Sequence, residues 1–296
     1  MFERGNFRQK IIYQSSLISF SFCVKQAIEA RRMNNFTETR KLFIIRHGER
    51  LDHVFGEQWP SLCFDKNGDY KRLDLNMPIS LPSRGRFLDY SLDSPLTNVG
   101  LLQATLTGEA LHEAGVRFSH VFSSPSFRCV QTAANILKAA KIDESINIEP
   151  GLFEWLGYVY AKVVPTWMEP AEIKSFGYNV NVDYKPFVDV KTLLSYQGEN
   201  CEHWYERSFT LAKNIVREYK DGNILMVAHG GSLDTLTRQL TGRKANSDGD
   251  LADFAQYCSV VTVELGENGH NRIIEPPVEP LSHGYNKPYE WQRLLD

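Results

Sequence analysis

Two short apolar runs, Leu42-Phe43-Ile44-Ile45 and Ile224-Leu225-Met226-Val227-Ala228, stand out from an otherwise mixed pattern. They are rich in β-branched residues and too short for helices, so they predict strands buried on both faces, as in the middle of a parallel sheet. Each run ends in the same pair, His47-Gly48 and His229-Gly230. A side chain that resists burial is followed there by a residue that lets the backbone turn. Ligands of open α/β sheets bind at the carboxyl edge of such strands, which makes that edge the candidate active site.

The pattern between these runs alternates helix and strand. Leu101, Leu102, Thr105, Leu106 and Leu111 fall near helical spacing and predict a helix over 98–114, ended by Gly115. His120–Ser123 reads as a short strand. Ser124-Pro125 then opens a helix to about Ala140, with the proline in its first turn, where a missing N–H costs nothing. A strand over Ile146–Glu149 leads into an aromatic segment over 152–167. Helices over Glu199–Tyr219 and Ser232–Leu240 flank the second apolar run, and Val260–Leu265 and Arg272–Ile274 close the pattern as strands joined by a turn over 266–269. No repeat or low-complexity linker interrupts residues 41–296. The expected fold is one α/β domain, three layers α/β/α around a mostly parallel central sheet.

Two stretches depart from this alternation. Residues 51–95 have turn signals but no period, and they carry Phe55, Trp59, Leu62, Phe64, Tyr70, Leu75, Met77, Ile79, Phe87 and Tyr90. A loop this long in a compact domain is usually functional, and its place directly after His47 suggests an insertion that shapes a substrate pocket. The plainer alternative is a satellite cluster that only covers the sheet edge. Residues 1–40 form an N-terminal extension without clear structure. Ile11–Val24 is moderately apolar after a basic start, but Gln14, Ser15, Ser16, Ser19 and Ser21 interrupt it and it is too short to span a bilayer. A start of the functional protein at Met33 is the other reading.

Composition adds boundaries rather than function. In 296 residues the net charge is −3, which gives no hint of a nucleic-acid or anionic-membrane surface. Five scattered cysteines (Cys23, Cys63, Cys129, Cys201, Cys258) without a C-x-x-C pair suit a reducing, cytoplasmic location better than a disulfide framework or a zinc site.

The candidate chemistry lies in what surrounds the two histidines. Arg46 and Arg50 flank His47, and Arg128 lies in the first turns of the helix after Ser124-Pro125, within reach of the same rim. Three arginines without matching carboxylates point to an anionic ligand, most simply phosphate, whose oxygens suit planar guanidinium groups. The alternative is that they form structural ion pairs with Glu49, Glu109 or Glu154. A histidine among arginines is disfavoured in its charged form, hence neutral and nucleophilic. Attack by His47 on phosphorus would give a phosphohistidine, with the arginines and His229 stabilising the equatorial oxygens. A carboxylic acid at the rim would then protonate the leaving alcohol and activate water.

Arg46-His47-Gly48-x-Arg50, Ser124-Pro125-x-x-Arg128-x-x-Gln131-Thr132-Ala133 and Ala228-His229-Gly230 together resemble the histidine phosphatase superfamily, with its phosphoglycerate-mutase-like fold. FDKNGDYKRLDLNMPISLP from Phe64, EPGLFEW over 149–155 and EPPVEPLSHG from Glu275 are similar to the suppressor-of-T-cell-receptor-signalling and ecdysteroid-phosphate phosphatases. The resemblance covers about residue 41 to the C-terminus. It implies His47 as nucleophile, Arg46, Arg50, Arg128 and His229 as the phosphate pocket, Glu154 as acid and base, and neither metal nor organic cofactor. An apolar setting between Phe153 and Trp155 would raise the Glu154 pKa, as an acid requires. The T-cell relatives carry upstream modules that 40 residues cannot hold, so the expectation is a stand-alone catalytic domain that can form a homodimer. The implied activity is that of a phosphomonoesterase, a hydrolase for a phosphotyrosine protein or a small apolar phosphate ester such as a steroid phosphate. A phosphoglycerate mutase and a catalytically silent binding module of the same fold are the rivals. The apolar insertion argues against the first, although its Lys66, Lys71, Arg72, Arg84 and Arg86 keep the mutase open, and the full set of chemical positions argues against the second.

Overall fold

The computed structural model describes residues 39–157, 163–246, 255–282 and 291–295. The extension over residues 1–40, but for its last two residues, and residues 158–162 of the aromatic segment lie outside the described residues.

In chain order the elements are β1 (Lys41–Arg46), α1 (Leu51–Phe55), α2 (Trp59–Cys63), α3 (Asn98–Glu113), β2 (His120–Ser123), α4 (Phe127–Ala140), β3 (Ile146–Ile148), α5 (Pro170–Ser175), α6 (Val190–Leu194), α7 (Cys201–Glu218), β4 (Ile224–Ala228), α8 (Ser232–Thr235), β5 (Val260–Glu264) and β6 (Arg272–Ile274). The strands form one sheet in the order β3-β2-β4-β1-β5-β6. β1, β2, β3 and β4 run parallel, while β5 and β6 join antiparallel, giving the mostly parallel sheet that the apolar runs predict. Alternation along each strand divides the core in two. Phe43, Ile45, Val121, Leu225 and Val227 pack with Ala104 and Leu111 of α3 and Val130 and Ala133 of α4. Leu42, Ile44, Phe122, Ile224 and Met226 pack on the other face with Leu211, Ala212 and Ile215 of α7. Helices thus cover both faces.

Register places the candidate chemistry. In the β1–β4 ladder Arg46 stands opposite Ala228, so the next residue of each strand, His47 and His229, leaves the sheet side by side. Ser123 pairs with Val227 in the β2–β4 ladder, which brings Ser124 to the same edge. Three neighbouring parallel strands therefore open onto one site.

Two helix boundaries differ from expectation. α4 begins at Phe127, after Ser126 takes an extended backbone as its N-cap, so Ser124-Pro125 continues the exit from β2 and Pro125 lies outside the first turn. The helix expected over Ser232–Leu240 is regular only to Thr235, and a 3-10 turn follows at Gln239–Thr241. The Thr237 hydroxyl donates back to the carbonyls of Leu233 (2.7 Å) and Asp234 (3.2 Å), a competition with backbone bonding that loosens helices.

The turn after β1 depends on a close backbone approach. A Cβ on Gly100 would lie 2.2 Å from the Glu49 carbonyl oxygen, and one on Gly48 would lie 2.6 Å from that of Gly100. The start of α3 can press against the Arg46–Arg50 loop only because both residues lack side chains. The Gly48 N–H donates to Thr132 Oγ1 of α4 (3.0 Å) and the Glu49 N–H to Gln103 Oε1 of α3 (2.9 Å), which fixes the loop between the two helices. Gly100→Ala is expected to cost about 2–3 kcal/mol, read as a lower denaturant midpoint; an unchanged midpoint would show that this contact yields easily.

Residues 51–95 hold α1, α2 and a 3-10 turn over Phe87–Ser91. The ring of Phe64 stacks on Phe87 (5.2 Å between centroids) and Tyr90 (5.9 Å) and leans on Tyr70 and Trp59. Leu75 and Ile79, by contrast, are 84% and 80% exposed. Arg84 anchors the segment through a buried ion pair with Asp93 (2.9 Å), whose other oxygen accepts the Phe127 N–H at the start of α4 (2.8 Å).

Candidate active site

His47 is buried at the end of β1, with ring Nδ1 2.8 Å from its neighbour's carbonyl, Gly48 O. A carbonyl oxygen only accepts, so Nδ1 must carry the proton, and the lone pair is left on Nε2. The neutral ring is thereby held in one tautomer, with one nucleophilic nitrogen. Burial, and then the charges of Arg128, Arg46, His229 and Arg50, push its pKa well below the ordinary histidine value. Like-charge repulsion was legible in the sequence; burial acts in the same direction and more strongly.

The arginines gather around this ring, but not without carboxylates. Arg50 forms a two-point contact with Asp52, Nε donating to Oδ1 at 2.6 Å and Nη2 to Oδ2. Arg128, fully buried, donates from Nη2 to Glu154 Oε1 at 2.8 Å. Arg46 donates to the Ala255 carbonyl and lies 4.5 Å over the Tyr257 ring, a cation–π contact. The expectation of unmatched arginines is therefore corrected, and the ion pair of Arg128 with Glu154 is one that the structural alternative named. Glu49 instead accepts from Asn76 Nδ2 (3.0 Å) and Thr97 Oγ1 (2.7 Å). Three arginines against Asp52 and Glu154 still leave one net positive charge.

His229 sits with its ring centroid 5.5 Å from that of His47. Its Nε2 is 2.8 Å from Ser124 Oγ, and Arg128 Nη2 approaches its Nδ1 at 3.2 Å. A guanidinium only donates, so Nδ1 bears the lone pair and Nε2–H donates to the serine. Burial pushes the His229 pKa down to about 3, against the opposing pull of Glu154 and with the help of the three arginines. Glu154 is corrected from expectation. Burial works to raise its pKa, but His229, Arg128, Arg50 and Arg46 outweigh it and hold the carboxyl at about 2. Phe153 does stand nearby, its ring 5.3 Å edge-on to that of His229, but charge rather than apolar surroundings sets the acidity.

These shifts make stability depend on pH. A histidine whose folded pKa lies below the unfolded value near 6.5 is protonated first in the unfolded chain, so the folded state loses ground as pH falls. For His229 the window runs from about 6.5 down to about 3. The loss from Glu154 follows below the ordinary carboxylate range, down to about 2. The unfolding free energy is expected to decline through the first window, and His229→Gln to decline less steeply. Equal slopes for the two proteins would mean that His229 takes up its proton without penalty.

The structure brings all the expected site residues, Arg46, His47, Arg50, Arg128, Glu154 and His229, to one edge of the sheet. It also adds three that sequence reasoning passed over. Asp52 orients Arg50, Ser124 accepts the Nε2–H of the His229 tautomer that Arg128 sets, and Tyr257 lies with its ring 5.9 Å from that of His47 and its hydroxyl 2.8 Å from His53 Nδ1. Ser124 stood inside a quoted motif without a role, whereas Asp52 and Tyr257 carried no signal. Among the described residues no three His, Cys, Asp or Glu side chains are grouped to hold a metal ion, and no helix is long and apolar enough to cross a membrane.

Residues 80–274 match the model of the histidine phosphatase superfamily, branch 1. The chain belongs to this superfamily. Among relatives, it is 41% identical over 283 residues to mouse (Mus musculus) ubiquitin-associated and SH3 domain-containing protein B, covering 91% of this chain and 44% of that protein. It is 42% identical over 263 residues to the Drosophila melanogaster ecdysteroid-phosphate phosphatase, covering 87% of this chain and 34% of that one. The chain thus spans less than half the length of these relatives. Its fold matches the crystal structure of the Bombyx mori ecdysone phosphate phosphatase in complex with tungstate, with a TM-score of 0.71, 31% identity, and coverage of 86% of this chain and 99% of that one. The histidine phosphatase fold is therefore shown by sequence and structure alike.

Proposed function

We propose that this histidine phosphatase domain is a phosphomonoesterase that works through a phosphohistidine on His47 and prefers esters of bulky, apolar or aromatic alcohols. The observation that carries this reading is the pinned His47 ring, whose Nδ1–H faces the Gly48 carbonyl while Nε2 stays unprotonated among three arginines.

Nε2 attacks phosphorus as the ester oxygen departs, and the Arg46, Arg50 and Arg128 guanidiniums take up the charge on the equatorial oxygens. Once phosphorylated, the imidazolium keeps its Nδ1 proton on Gly48 O, where the carbonyl dipole favours it. Glu154 protonates the leaving alkoxide and later removes a proton from the water that hydrolyses the phosphohistidine. A phosphate held against Arg128 offsets the cation that keeps Glu154 ionised, so the proton affinity of Glu154 rises when substrate is bound. The carboxyl thus takes up its proton only when substrate is in place.

Tyr257 and the Phe153–Trp167 ring pair (centroids 4.7 Å apart) offer aromatic walls beside the histidines. The names of the relatives support the same chemistry: one acts on ecdysteroid phosphates, and the silkworm structure holds tungstate, a tetrahedral oxyanion like phosphate. The test is phosphate release from p-nitrophenyl phosphate, a phosphotyrosine peptide, a steroid phosphate, and 3-phosphoglycerate with and without 2,3-bisphosphoglycerate. Turnover of the apolar esters is expected. Interconversion of phosphoglycerates without phosphate release would move the protein to the mutases, and silence throughout would make it a binding module.

A further inference from the structure

We propose that Arg207 and Glu199 form a clamp that positions the loop bearing Glu154 and so sets the efficiency of leaving-group protonation. The proposal rests on Glu154 being the acid. Arg207 lies on α7 and Glu199 just before that helix, and their side chains are about 1% exposed. All five N–H donors of the guanidinium are used. Nε donates to Glu199 Oε2 at 3.0 Å and Nη2 to Glu199 Oε1 at 2.5 Å. Nη1 donates to the carbonyls of Gly151 (2.8 Å) and Phe153 (3.1 Å), and Nη2 also to that of Glu154 itself (3.3 Å).

Glu199 holds the far side of the same loop. Its Oε1 accepts the Leu156 N–H (3.3 Å), and its backbone carbonyl accepts the Trp155 indole N–H (2.8 Å). A Cβ on Gly157 would meet that carbonyl at 1.8 Å, so the loop can approach only with glycine there. Residues 151, 153, 154 and 156 are thus tied to one buried ion pair, and Trp155 to the backbone of its glutamate.

Burying an ion pair gains little stability over apolar packing, so a pair this fully bonded is better understood as fixing one loop geometry. Lysine has three donors and no planar fork, and it cannot replace those five bonds. A proton donor moved by about an ångström loses much of its efficiency. The loss falls on esters whose leaving alcohol needs the proton, and not on p-nitrophenolate, which departs without it.

Arg207→Lys and the near-isosteric Glu199→Gln are compared with Glu154→Gln on p-nitrophenyl phosphate and on an alkyl phosphate, with circular dichroism to confirm folding. Both clamp variants are expected to lose roughly tenfold more kcat on the alkyl ester than on the aryl ester, an effect of the size a misplaced group produces. Adding Arg207→Lys to Glu154→Gln is expected to add no further discrimination between the two esters. Equal losses on the two esters in folded clamp variants, with Glu154→Gln still discriminating, would overturn the clamp alone. Equal losses in Glu154→Gln itself would overturn the acid assignment, and the clamp with it. Should Arg207→Lys fail to fold, Glu199→Gln decides by the same comparison.

Discussion

His47→Ala is expected to reduce turnover of every phosphate ester by about 10⁴-fold or more, the scale on which removal of a nucleophile acts. The expectation follows from the ring's surroundings. Its Nδ1–H is committed to Gly48 O, its Nε2 is unprotonated, and among the described residues no other neutral nucleophile on this edge has the same freedom. Ser124 is engaged by His229, and burial pushes the Cys129 thiol up to about 12. The variant still has its arginines, so affinity for orthophosphate is expected to survive within a few fold. Removing a neutral, buried histidine also takes away an acid-labile group, and the variant is expected to tolerate low pH at least as well as the parent. Steady-state kinetics with orthophosphate inhibition checks both parts. Retention of more than a hundredth of the activity would place the nucleophile elsewhere.

Arg128→Met ranks second, with an expected fall of about 10²–10³ in kcat/KM, the range seen when one donor to a developing oxyanion is lost. Methionine nearly fills the space, so the effect is chiefly one of charge. Arg128 Nη2 bridges Glu154 Oε1 and Nδ1 of His229, and its charge lowers the pKa of both histidines and of Glu154. All three pKa values are therefore expected to rise in the variant: Glu154 from about 2, His229 from about 3, and His47 from its depressed value. Histidine resonances followed by NMR against pH, together with kcat/KM, read the two consequences separately. A loss below tenfold, with unmoved histidine titrations, would show that Arg128 serves the fold rather than the phosphate.

The sheet was legible because its central strands are unbroken apolar runs. β2, β4 and β6 have the expected limits, and the shared His-Gly ending already placed His47 and His229 on one edge. The structure adds the register that sets them side by side. What could not be read is whatever depends on partners distant in sequence. The acidity of Glu154 is set, against burial, by His229 75 residues on and by arginines 26 and about 100 residues away rather than by Phe153 and Trp155 beside it. Arg207 and Glu199 sit where an amphipathic helix begins, and polar residues there look solvated until the loop over 151–157 closes on them. The helix after β4 is shorter than its sequence pattern suggests because the Thr237 hydroxyl competes for the backbone.

The most direct test of the central claim is to trap the covalent intermediate. Enzyme mixed with p-nitrophenyl phosphate is quenched within milliseconds in alkali, where phosphohistidine persists, and the digested protein is mapped by mass spectrometry. A phosphoryl group on His47, attached through Nε2 and labile to acid, is the predicted result. Turnover under the same conditions with no phosphorylated histidine, or with the phosphoryl group on any other residue, would contradict the account.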